Sequence, residues 1–363
     1  MTTAQQLVER VLAEDQALVQ AALRAAIPDA EPRRYLYDLV EIYPNRGSKG
    51  FRASLCLATC RAFGGQTEDA LEAAVALEFL HNAFLVHDDI EDGSMLRRGA
   101  PTLHQAHGIA LALNAGDGLC ALALAALARS AGRQTPKIGA LLLAELAHLF
   151  RRSVEGQAWE LGWIAEQRFD ITEADYLRMV LAKTCWYSTI HPCRLGALIG
   201  SQGSAALDAL VPFGLYLGAA FQIRDDIDNL APGDSAYGKD VGGDIIEGKR
   251  SIPLIHLLAH SAETQRAEIV QLISSKTSPV ARPERVERVV HLMMECGSLE
   301  YARDVADKFA SMAIAEIPKA FAGARVSSQV DYIYAIVLYL CGAINTRAGE
   351  PMCSAQSAGK SWA

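Results

Sequence analysis

The chain has 363 residues, of which 51% are apolar and 21% are charged, so it can bury a large core and is not predicted to be disordered. A formal net charge of -8 argues against the broad basic surface of a nucleic-acid-binding protein, but it allows small basic clusters aimed at an anionic substrate. The N-terminus lacks a signal-peptide pattern, no run of about 18 uncharged apolar residues predicts a spanning helix, and the eight cysteines form no CxxC pair. These features predict a cytoplasmic protein with buried free thiols.

Helical periodicity runs along most of the chain, as in the apolar stripe Ile138, Leu142, Leu146 and Leu149. Similar stripes recur from residue 5 to residue 345, and alternating strand patterns are not evident. Clusters of Gly and Pro separate the stripes, but no repeat or low-complexity linker divides the chain. We therefore predict a single all-helical domain over residues 1–348 and a flexible tail over residues 349–363.

A basic turn precedes one of the first predicted helices. Lys49 and Arg52 lie three residues apart at the helix start, where exposed backbone N–H groups also favour anions. Taken alone, this turn is explained equally well as solvated surface charge.

An acidic motif, His87 to Asp92, closes a long apolar helix that begins near Asp69. Asp88 and Asp92 project from one helix face, one turn apart. Four carboxylates within five residues repel one another, so the motif needs either solvent or a hard cation such as Mg²⁺. Arg97 and Arg98 follow within reach of the same anion, and arginine pairs well with phosphate oxygens. A solvated acidic helix end remains the alternative for the motif taken alone.

A second acidic motif, Phe221 to Asn229, again follows an apolar helical run and contains Asp225 and Asp226. Two such motifs can face each other across a helical bundle and hold several metal ions on one diphosphate. The glycine- and lysine-rich segment from Tyr237 to Arg250 follows directly. It is not a nucleotide P-loop, because an acidic helix precedes it and Asp240 replaces the required Ser or Thr. A lid whose lysines close over a diphosphate fits these residues better.

Together these segments resemble the trans-isoprenyl diphosphate synthase (polyprenyl synthetase) family over most of residues 35 to 255, most closely a geranylgeranyl diphosphate synthase. The motifs follow the family order, from the basic turn through the DDxxD and RRG motifs, Gly156-Gln157, Lys183-Thr184 and the second motif to the DIxEGKRS loop. The resemblance implies an all-α, isoprenoid synthase-type helical bundle around a deep central cavity, and a homodimer.

The family's functional residues transfer position by position. The resemblance implies that about three Mg²⁺ ions bind the carboxylates of Asp88, Asp92 and Asp225. It implies contacts with the allylic diphosphate from Arg97, Lys183 and Lys239, with Lys249 near its entrance. It also implies contacts with the diphosphate of isopentenyl diphosphate (IPP) from Lys49, Arg52, His81 and Arg98. Catalytic roles fall on Lys183, Thr184 and Gln222, of which the last two offer oxygen dipoles to the developing allylic cation.

The implied reaction is ionisation, condensation and elimination. The metal ions and basic side chains stabilise the departing diphosphate, the IPP double bond attacks the allylic cation, and a proton is lost. A dry apolar cavity keeps water from the cation.

Product length in the resembling family depends on the bulk of residues just before the first acidic motif. Here Phe84 lies one turn before Asp88, and Ala83 beside it is small. One aromatic residue with one alanine predicts a pocket deep enough for geranylgeranyl diphosphate (C20). On this prediction Phe84→Ala lengthens the product, and packing of Phe84 in the core is the alternative.

Several observations keep other readings open. Ser48 and Ala53 depart from the usual basic turn, Asn229 replaces an aspartate, and the basic C-terminal residues of some members are not obvious. A class I terpene cyclase would use the same fold and metals, with Trp159, Trp163, Trp186 and Tyr187 facing the cavity. A farnesyl (C15) diphosphate synthase and a non-catalytic partner subunit are the remaining alternatives. The combined presence of Lys49, Arg52 and Arg98 favours a synthase, since a cyclase does not need an IPP site.

Overall fold

The computed structural model describes residues 3–47, 49–230, 242–274 and 282–342. Within these ranges the chain is helical except for one short hairpin and the connecting turns, as the sequence predicts. The helices are α1 (Thr3–Ala26), α2 (Asp38–Asn45), α3 (Phe51–Ala62), α4 (Thr67–Asp92), α5 (Leu103–His107), α6 (Ile109–Gly132), α7 (Pro136–Ala165), α8 (Glu173–Val180), α9 (His191–Gly200), α10 (Leu210–Leu230), α11 (Gly243–Glu247), α12 (Ile252–His260), α13 (Glu263–Ser274), α14 (Arg282–Glu295), α15 (Ser298–Ala320) and α16 (Ser327–Leu340). The hairpin pairs β1 (Leu96–Arg97) antiparallel with β2 (Ala100–Pro101), and π-helical segments span Arg33–Tyr37 and Leu181–Ile190.

Helix α4 forms the centre of the bundle because it is rich in small residues. Ala70, Ala73, Ala74 and Ala76 are fully buried or nearly so, which lets neighbouring helices approach on several sides. A capping box between Gln66 and Asp69 starts the helix. Gly93, with a φ of 65°, ends it in the left-handed conformation that glycine adopts readily. The first acidic motif is therefore held at the end of a rigid, buried helix.

The π-helical segment Leu181–Ile190 continues α8 and leads directly into α9. The hydroxyl of Thr189 donates hydrogen bonds to the carbonyl oxygens of Cys185 (2.9 Å) and Gly214 (2.6 Å), and such a bond competes with the regular backbone bonds. Pro192 follows and has no N–H to donate to the preceding turn. The sequence periodicity predicts a helix here, but it does not distinguish a π-helical from an α-helical turn.

Two further helices bring functional residues to this segment. Gly156 of α7 crosses it so closely that an added Cβ would overlap the backbone nitrogen of Lys183. On the other side, Gly218 of α10 packs against Cys185 and Thr189. The second acidic motif ends α10, so both motifs reach the same end of the bundle as Lys183.

Helix α6 packs along α4 through a face of small and apolar residues, with Gly116 directly against the ring of His87. By length and composition it is the one candidate membrane span among the described residues, with a mean hydropathy of 1.7 over its most apolar window. The division into one domain and a tail stays a prediction, and residues 349–363 lie outside the described residues.

Candidate active site

The two aspartates predicted as metal ligands at the end of α4 each face an ammonium group. Asp88 Oδ1 lies 3.8 Å from Lys183 Nζ, and Asp92 Oδ2 accepts a hydrogen bond of 2.9 Å from Lys249 Nζ. Burial raises the pKa of Asp92 to about 6; Lys249 opposes this shift, and Glu247 and Asp88 add to it. The first motif thus presents two carboxylates whose charge is balanced by lysines from other elements.

Asp89, between them, has a different environment and is almost completely buried. Its carboxylate accepts hydrogen bonds of 2.5 Å from the Tyr43 hydroxyl and of 2.5 and 3.0 Å from Arg97 Nη2 and Nε. The Tyr43 oxygen in turn accepts a bond of 3.1 Å from the backbone N–H of Leu103. Asp89 therefore anchors the β1–β2 hairpin and does not share the lysine-facing environment of Asp88 and Asp92.

Arg97 and Arg98 adjoin each other on this hairpin but point to different partners. Arg97 is buried against Asp89, whereas Arg98 Nη1 donates a hydrogen bond of 3.0 Å to the carbonyl of Tyr43. Burial lowers the pKa of Arg98 to about 10; Glu78 opposes this shift, and Arg97, Arg52 and Arg46 add to it. Arg46 supports the hairpin with bonds to the carbonyls of Arg97 (3.2 Å) and Pro101 (2.8 Å). The predicted diphosphate contacts of both arginines stay predictions.

Lys183 belongs to the π-helical segment, and its side chain projects between α4 and α7. Its ammonium pairs with Glu160 as well as approaching Asp88, and these charges raise its pKa although burial opposes the shift. Glu160 is not among the site residues predicted from the sequence. It lies four residues after Gly156, on the helix face that crosses the π-helical segment, so the spacing contained the signal.

Lys249 lies near the end of the glycine- and lysine-rich segment and contacts the first acidic motif. Its ammonium lies 2.9 Å from Asp92, 2.7 Å from Glu247 and 3.5 Å from Asp244. Ser94 adds a second link with a hydrogen bond of 3.0 Å to Glu247. Lys239, the other predicted lid lysine, lies outside the described residues.

In the second motif, as in the first, neighbouring aspartates differ in burial. Asp225 is exposed, whereas Asp226 is buried and accepts bonds from the Tyr176 hydroxyl (2.6 Å) and Gln222 Nε2 (2.8 Å). Burial and the charge of Asp244 raise the pKa of Asp226 to about 8. Gln222 Oε1 accepts a bond of 2.9 Å from Thr184, so the two predicted catalytic side chains lie side by side.

Asn229, which departs from the usual aspartate, has a structural contact of its own. Its side-chain oxygen accepts a hydrogen bond of 3.0 Å from the backbone N–H of Asp244 at the start of α11. This bond ties the end of the second motif to the segment that carries Lys249.

The predicted IPP-binding residues surround the start of α3. The ammonium of Lys49 is partly desolvated, which lowers its pKa, while the nearby charges of Asp225 and Asp228 oppose the shift. Arg52 is buried and lies 3.3 Å from His81 Nε2 through its Nη1. Burial and the adjacent arginines lower the pKa of His81, so its ring is neutral. These groups lie close together, with Lys49 near the acidic residues of the second motif and Arg52 against His81 of α4, and their contacts with IPP stay predictions.

Below Asp88, the proposed floor of the cavity is aromatic. Ala83 is fully buried in the core, whereas Phe84 is only half-buried. The Phe84 ring lies 5.3 Å from that of Tyr187 and 5.8 Å from that of Phe150, measured between centroids. Neither partner is among the residues predicted to form the floor.

The donor set of Asp88, Asp92 and Asp225 fits Mg²⁺. All three offer hard carboxylate oxygens, and Mg²⁺ takes only one or two carboxylates together with water and phosphate oxygens. Across residues 3–47, 49–230, 242–274 and 282–342, no group of three or more His, Cys, Asp or Glu side chains converges to hold a metal by itself. Carboxylate oxygens of this kind suit a metal whose remaining ligands are water and phosphate oxygens.

Comparisons with known proteins cover most of the chain. A family model for polyprenyl synthetase matches residues 33–293. The geranylgeranyl diphosphate synthase of Saccharolobus solfataricus is 34% identical over 272 residues, which cover 74% of this chain and 79% of that protein. The geranylgeranyl pyrophosphate synthetase of Pyrococcus horikoshii Ot3 superposes with a TM-score of 0.82 at 28% identity, covering 94% of this chain and 99% of the other. A polyprenyl synthase from Caulobacter crescentus CB15, solved with calcium and isoprenyl diphosphate, gives a TM-score of 0.80 at 26% identity and covers 93% and 97%.

The matched residues include the basic turn, both acidic motifs and the glycine- and lysine-rich segment, so the similarity covers all the predicted site residues. The family is magnesium-dependent, and its substrates are isopentenyl and allylic diphosphates. These findings confirm the predicted fold and enzyme class. The chain belongs to the polyprenyl synthetase family and is an isoprenyl diphosphate synthase, a prenyltransferase of isoprenoid biosynthesis.

Proposed function

We propose that this enzyme condenses an allylic diphosphate with IPP to give geranylgeranyl diphosphate (C20). The observation that carries the proposal is the convergence of Asp88, Asp92 and Lys183 with Lys249 on one side, and of Arg52 and His81 on the other. Such an arrangement provides one place for a metal-bound diphosphate and a second, metal-free place for another.

Asp88, Asp92 and Asp225 would hold about three Mg²⁺ ions, which would supply positive charge to stabilise the diphosphate leaving group. Lys183 and Lys249 bind the same diphosphate, exchanging carboxylate partners for phosphate oxygens. Thr184 and Gln222 hold each other by a hydrogen bond of 2.9 Å and place two oxygen dipoles beside the allylic carbon.

The second substrate supplies the electrons for the new bond. Arg52, Lys49 and Arg98 bind the IPP diphosphate, and the neutral ring of His81 hydrogen-bonds to it. The IPP double bond attacks the allylic cation and forms the C–C bond, and the departing diphosphate accepts the proton that is lost. The core around Phe84 excludes water from the cation.

The C20 product is proposed from the single aromatic floor residue. Phe84 lies one turn before Asp88, its ring contacts those of Tyr187 and Phe150, and the neighbouring Ala83 adds no ring of its own on α4. Several relatives that share about a third of their residues with this chain are geranylgeranyl diphosphate synthases.

We also propose a homodimer, which is supported by the surface of α6 and α7, and a cytoplasmic location, which is supported by the free thiols of the described cysteines. Both helices expose large apolar side chains, which form the α6–α7 apolar face: Leu113, Leu124, Leu143, Phe150 and Val154. A monomeric soluble protein rarely leaves such a face uncovered. A second copy of the chain is the occupant proposed here, since the face also borders the floor residue Phe84 through Phe150.

Product analysis tests the proposed reaction. Purified protein is incubated with Mg²⁺, IPP and, in separate reactions, dimethylallyl, geranyl or farnesyl diphosphate, and the products are dephosphorylated and identified. We expect an IPP-dependent C20 alcohol that is lost when the metal is chelated. A C15 alcohol, or one longer than C20, would contradict the floor assignment. A cyclic hydrocarbon formed without IPP would indicate a cyclase, and absence of turnover would indicate a non-catalytic subunit.

A further inference from the structure

Tyr187 lies between the proposed IPP site and the proposed floor of the cavity. In the sequence it is one of two adjacent aromatic residues, Trp186 and Tyr187, after Lys183-Thr184, with no feature that separates a core residue from a functional one. In the structure it is half-buried on the π-helical segment and contacts residues from both substrate regions.

The first contact is with the guanidinium of Arg52. Arg52 Nη2 donates a hydrogen bond of 3.1 Å to the Tyr187 hydroxyl, and the guanidinium carbon lies 4.7 Å from the centroid of the ring. Arg52 Nε donates a second bond, of 3.1 Å, to the hydroxyl of Ser188. With His81 on Nη1, every nitrogen of this buried guanidinium has a partner. Because a guanidinium is a rigid planar fork, these bonds determine where its remaining N–H groups point.

The second contact is with the floor. The Tyr187 ring meets Phe84 edge-on, with centroids 5.3 Å apart and planes at 82°. It also stacks on the ring of His81 at 6.0 Å. One side chain therefore touches an IPP-binding arginine, an IPP-binding histidine and the floor phenylalanine.

Tyr187 and Ser188 follow Lys183 and Thr184 by four residues on the π-helical segment. Residues four positions apart lie on the same side of a helix, so the four side chains are placed near one another. Lys183 and Thr184 face the acidic motifs, and Tyr187 and Ser188 lie one turn further along toward Arg52. π-helical segments are often found at functional sites.

We propose that Tyr187 is a positioning and specificity-determining residue that couples the two substrate regions. Its hydroxyl holds Arg52 in the orientation that binds the IPP diphosphate, and its ring supports Phe84 and so helps to set product length. This inference rests on the proposed function of the same site.

Tyr187→Phe tests the hydroxyl alone, because it keeps the ring. The KM for IPP is expected to rise about tenfold, as loss of one hydrogen bond to a charged group predicts, with kcat, the KM for the allylic diphosphate and the product length unchanged. Tyr216→Phe is the matched control, since Tyr216 is another half-buried tyrosine, packed against a different apolar cluster, and should leave all four quantities at native values. An unchanged KM for IPP in Tyr187→Phe overturns the positioning role.

Tyr187→Ala tests the ring and is compared with Phe84→Ala. Both variants are expected to shift the product toward longer chains, because Phe84 either loses its support or is absent. A native product distribution in folded Tyr187→Ala, combined with a shift in Phe84→Ala, overturns the specificity role. Assays of the native protein distinguish the proposed function from this inference. If the native protein forms no IPP-dependent product, the proposed function is wrong. If the native protein turns over normally and the Tyr187 variants behave like it, only this inference is wrong.

Discussion

Adjacent residues of the first acidic motif occupy opposite environments. Asp88 is partly exposed and faces Lys183, whereas Asp89 is buried against Tyr43 and Arg97. The helical rotation of about 100° per residue separates neighbours onto different faces, so adjacent aspartates of a DDxxD motif have different surroundings. The same division recurs between exposed Asp225 and buried Asp226.

The two roles predict different effects of the same chemical change. Asp89→Asn leaves the buried guanidinium of Arg97 without its countercharge and should cost about 3–5 kcal/mol of unfolding free energy. Asp88→Asn, at a partly solvated position, should abolish most Mg²⁺-dependent turnover while stability stays near native. Urea unfolding and activity assays on both variants measure the difference. Equal losses of stability would contradict the anchoring role of Asp89.

At the scale of elements, the crossing of α7 over the π-helical segment positions Lys183. Gly156 has no space for a Cβ at this crossing, because the backbone nitrogen of Lys183 occupies it. Glu160, one turn later on α7, then reaches the Lys183 ammonium. Gly156 and Glu160 of α7 thus fix the position of Lys183 on the π-helical segment.

Gly156→Ala should therefore force the two elements apart. The expected cost is about 1–3 kcal/mol of stability, as for other overpacked contacts, with a loss of activity because Lys183 moves away from Asp88. Gly162→Ala on the same helix is the control, since an added Cβ there meets nothing within 4 Å. Thermal unfolding and turnover of the two variants give the comparison, and native activity in Gly156→Ala would refute the positioning argument.

A second junction, between α7 and α9, predicts a pH dependence of stability. Glu145 Oε1 lies 2.7 Å from Arg194 Nη2, and its Oε2 lies 2.8 Å from His191 Nδ1. Burial opposes these bonds, but they prevail and lower the pKa of Glu145 from 4.5 to about 2. Because the pKa of the folded state is the lower one, the carboxylate stabilises the fold above pH 4.5 and loses this contribution as the pH falls toward about 2.

Glu145→Gln should remove that dependence. We expect a loss of up to about 3 kcal/mol at neutral pH that shrinks steadily on acidification. Urea unfolding of the native and variant proteins across this range measures it, with Glu166→Gln at the exposed end of α7 as the control. If the unfolding free energies of the native protein and Glu145→Gln change in parallel with pH, the junction is not the source of the pH dependence.

For the whole molecule, the main prediction concerns the α6–α7 apolar face. Leu124 is 56% exposed on this face, so Leu124→Glu should weaken self-association and shift the sedimentation coefficient toward the monomer. Met294→Glu, at a residue 62% exposed on α14, is the matched control and should leave the association state unchanged. A native protein that sediments as a monomer, or a Leu124→Glu dimer, would exclude this face as the interface.

Much of the fold and the enzyme class follows from the sequence alone, because helical periodicity and short acidic motifs are local properties. The apolar stripe of Leu142 and Leu149 predicts a buried helix face, and the spacing of Asp88 and Asp92 predicts that both lie on one side of a helix. The order of the motifs along the chain was enough to identify the family.

The partners of each functional group depend on the tertiary structure. Tyr43 meets Asp89 across 46 positions, and Tyr187 meets Arg52 across 135, and no local spacing encodes such contacts. The π-helical segment that carries Tyr187 and Ser188 depends on hydrogen bonds such as that from Thr189 to Gly214 of α10. The sequence by itself therefore determines which chemistry the chain can perform, because charge, periodicity and motif order are local. Only the tertiary structure decides which side chains hold, orient and limit that chemistry, because those contacts form when distant helices pack together.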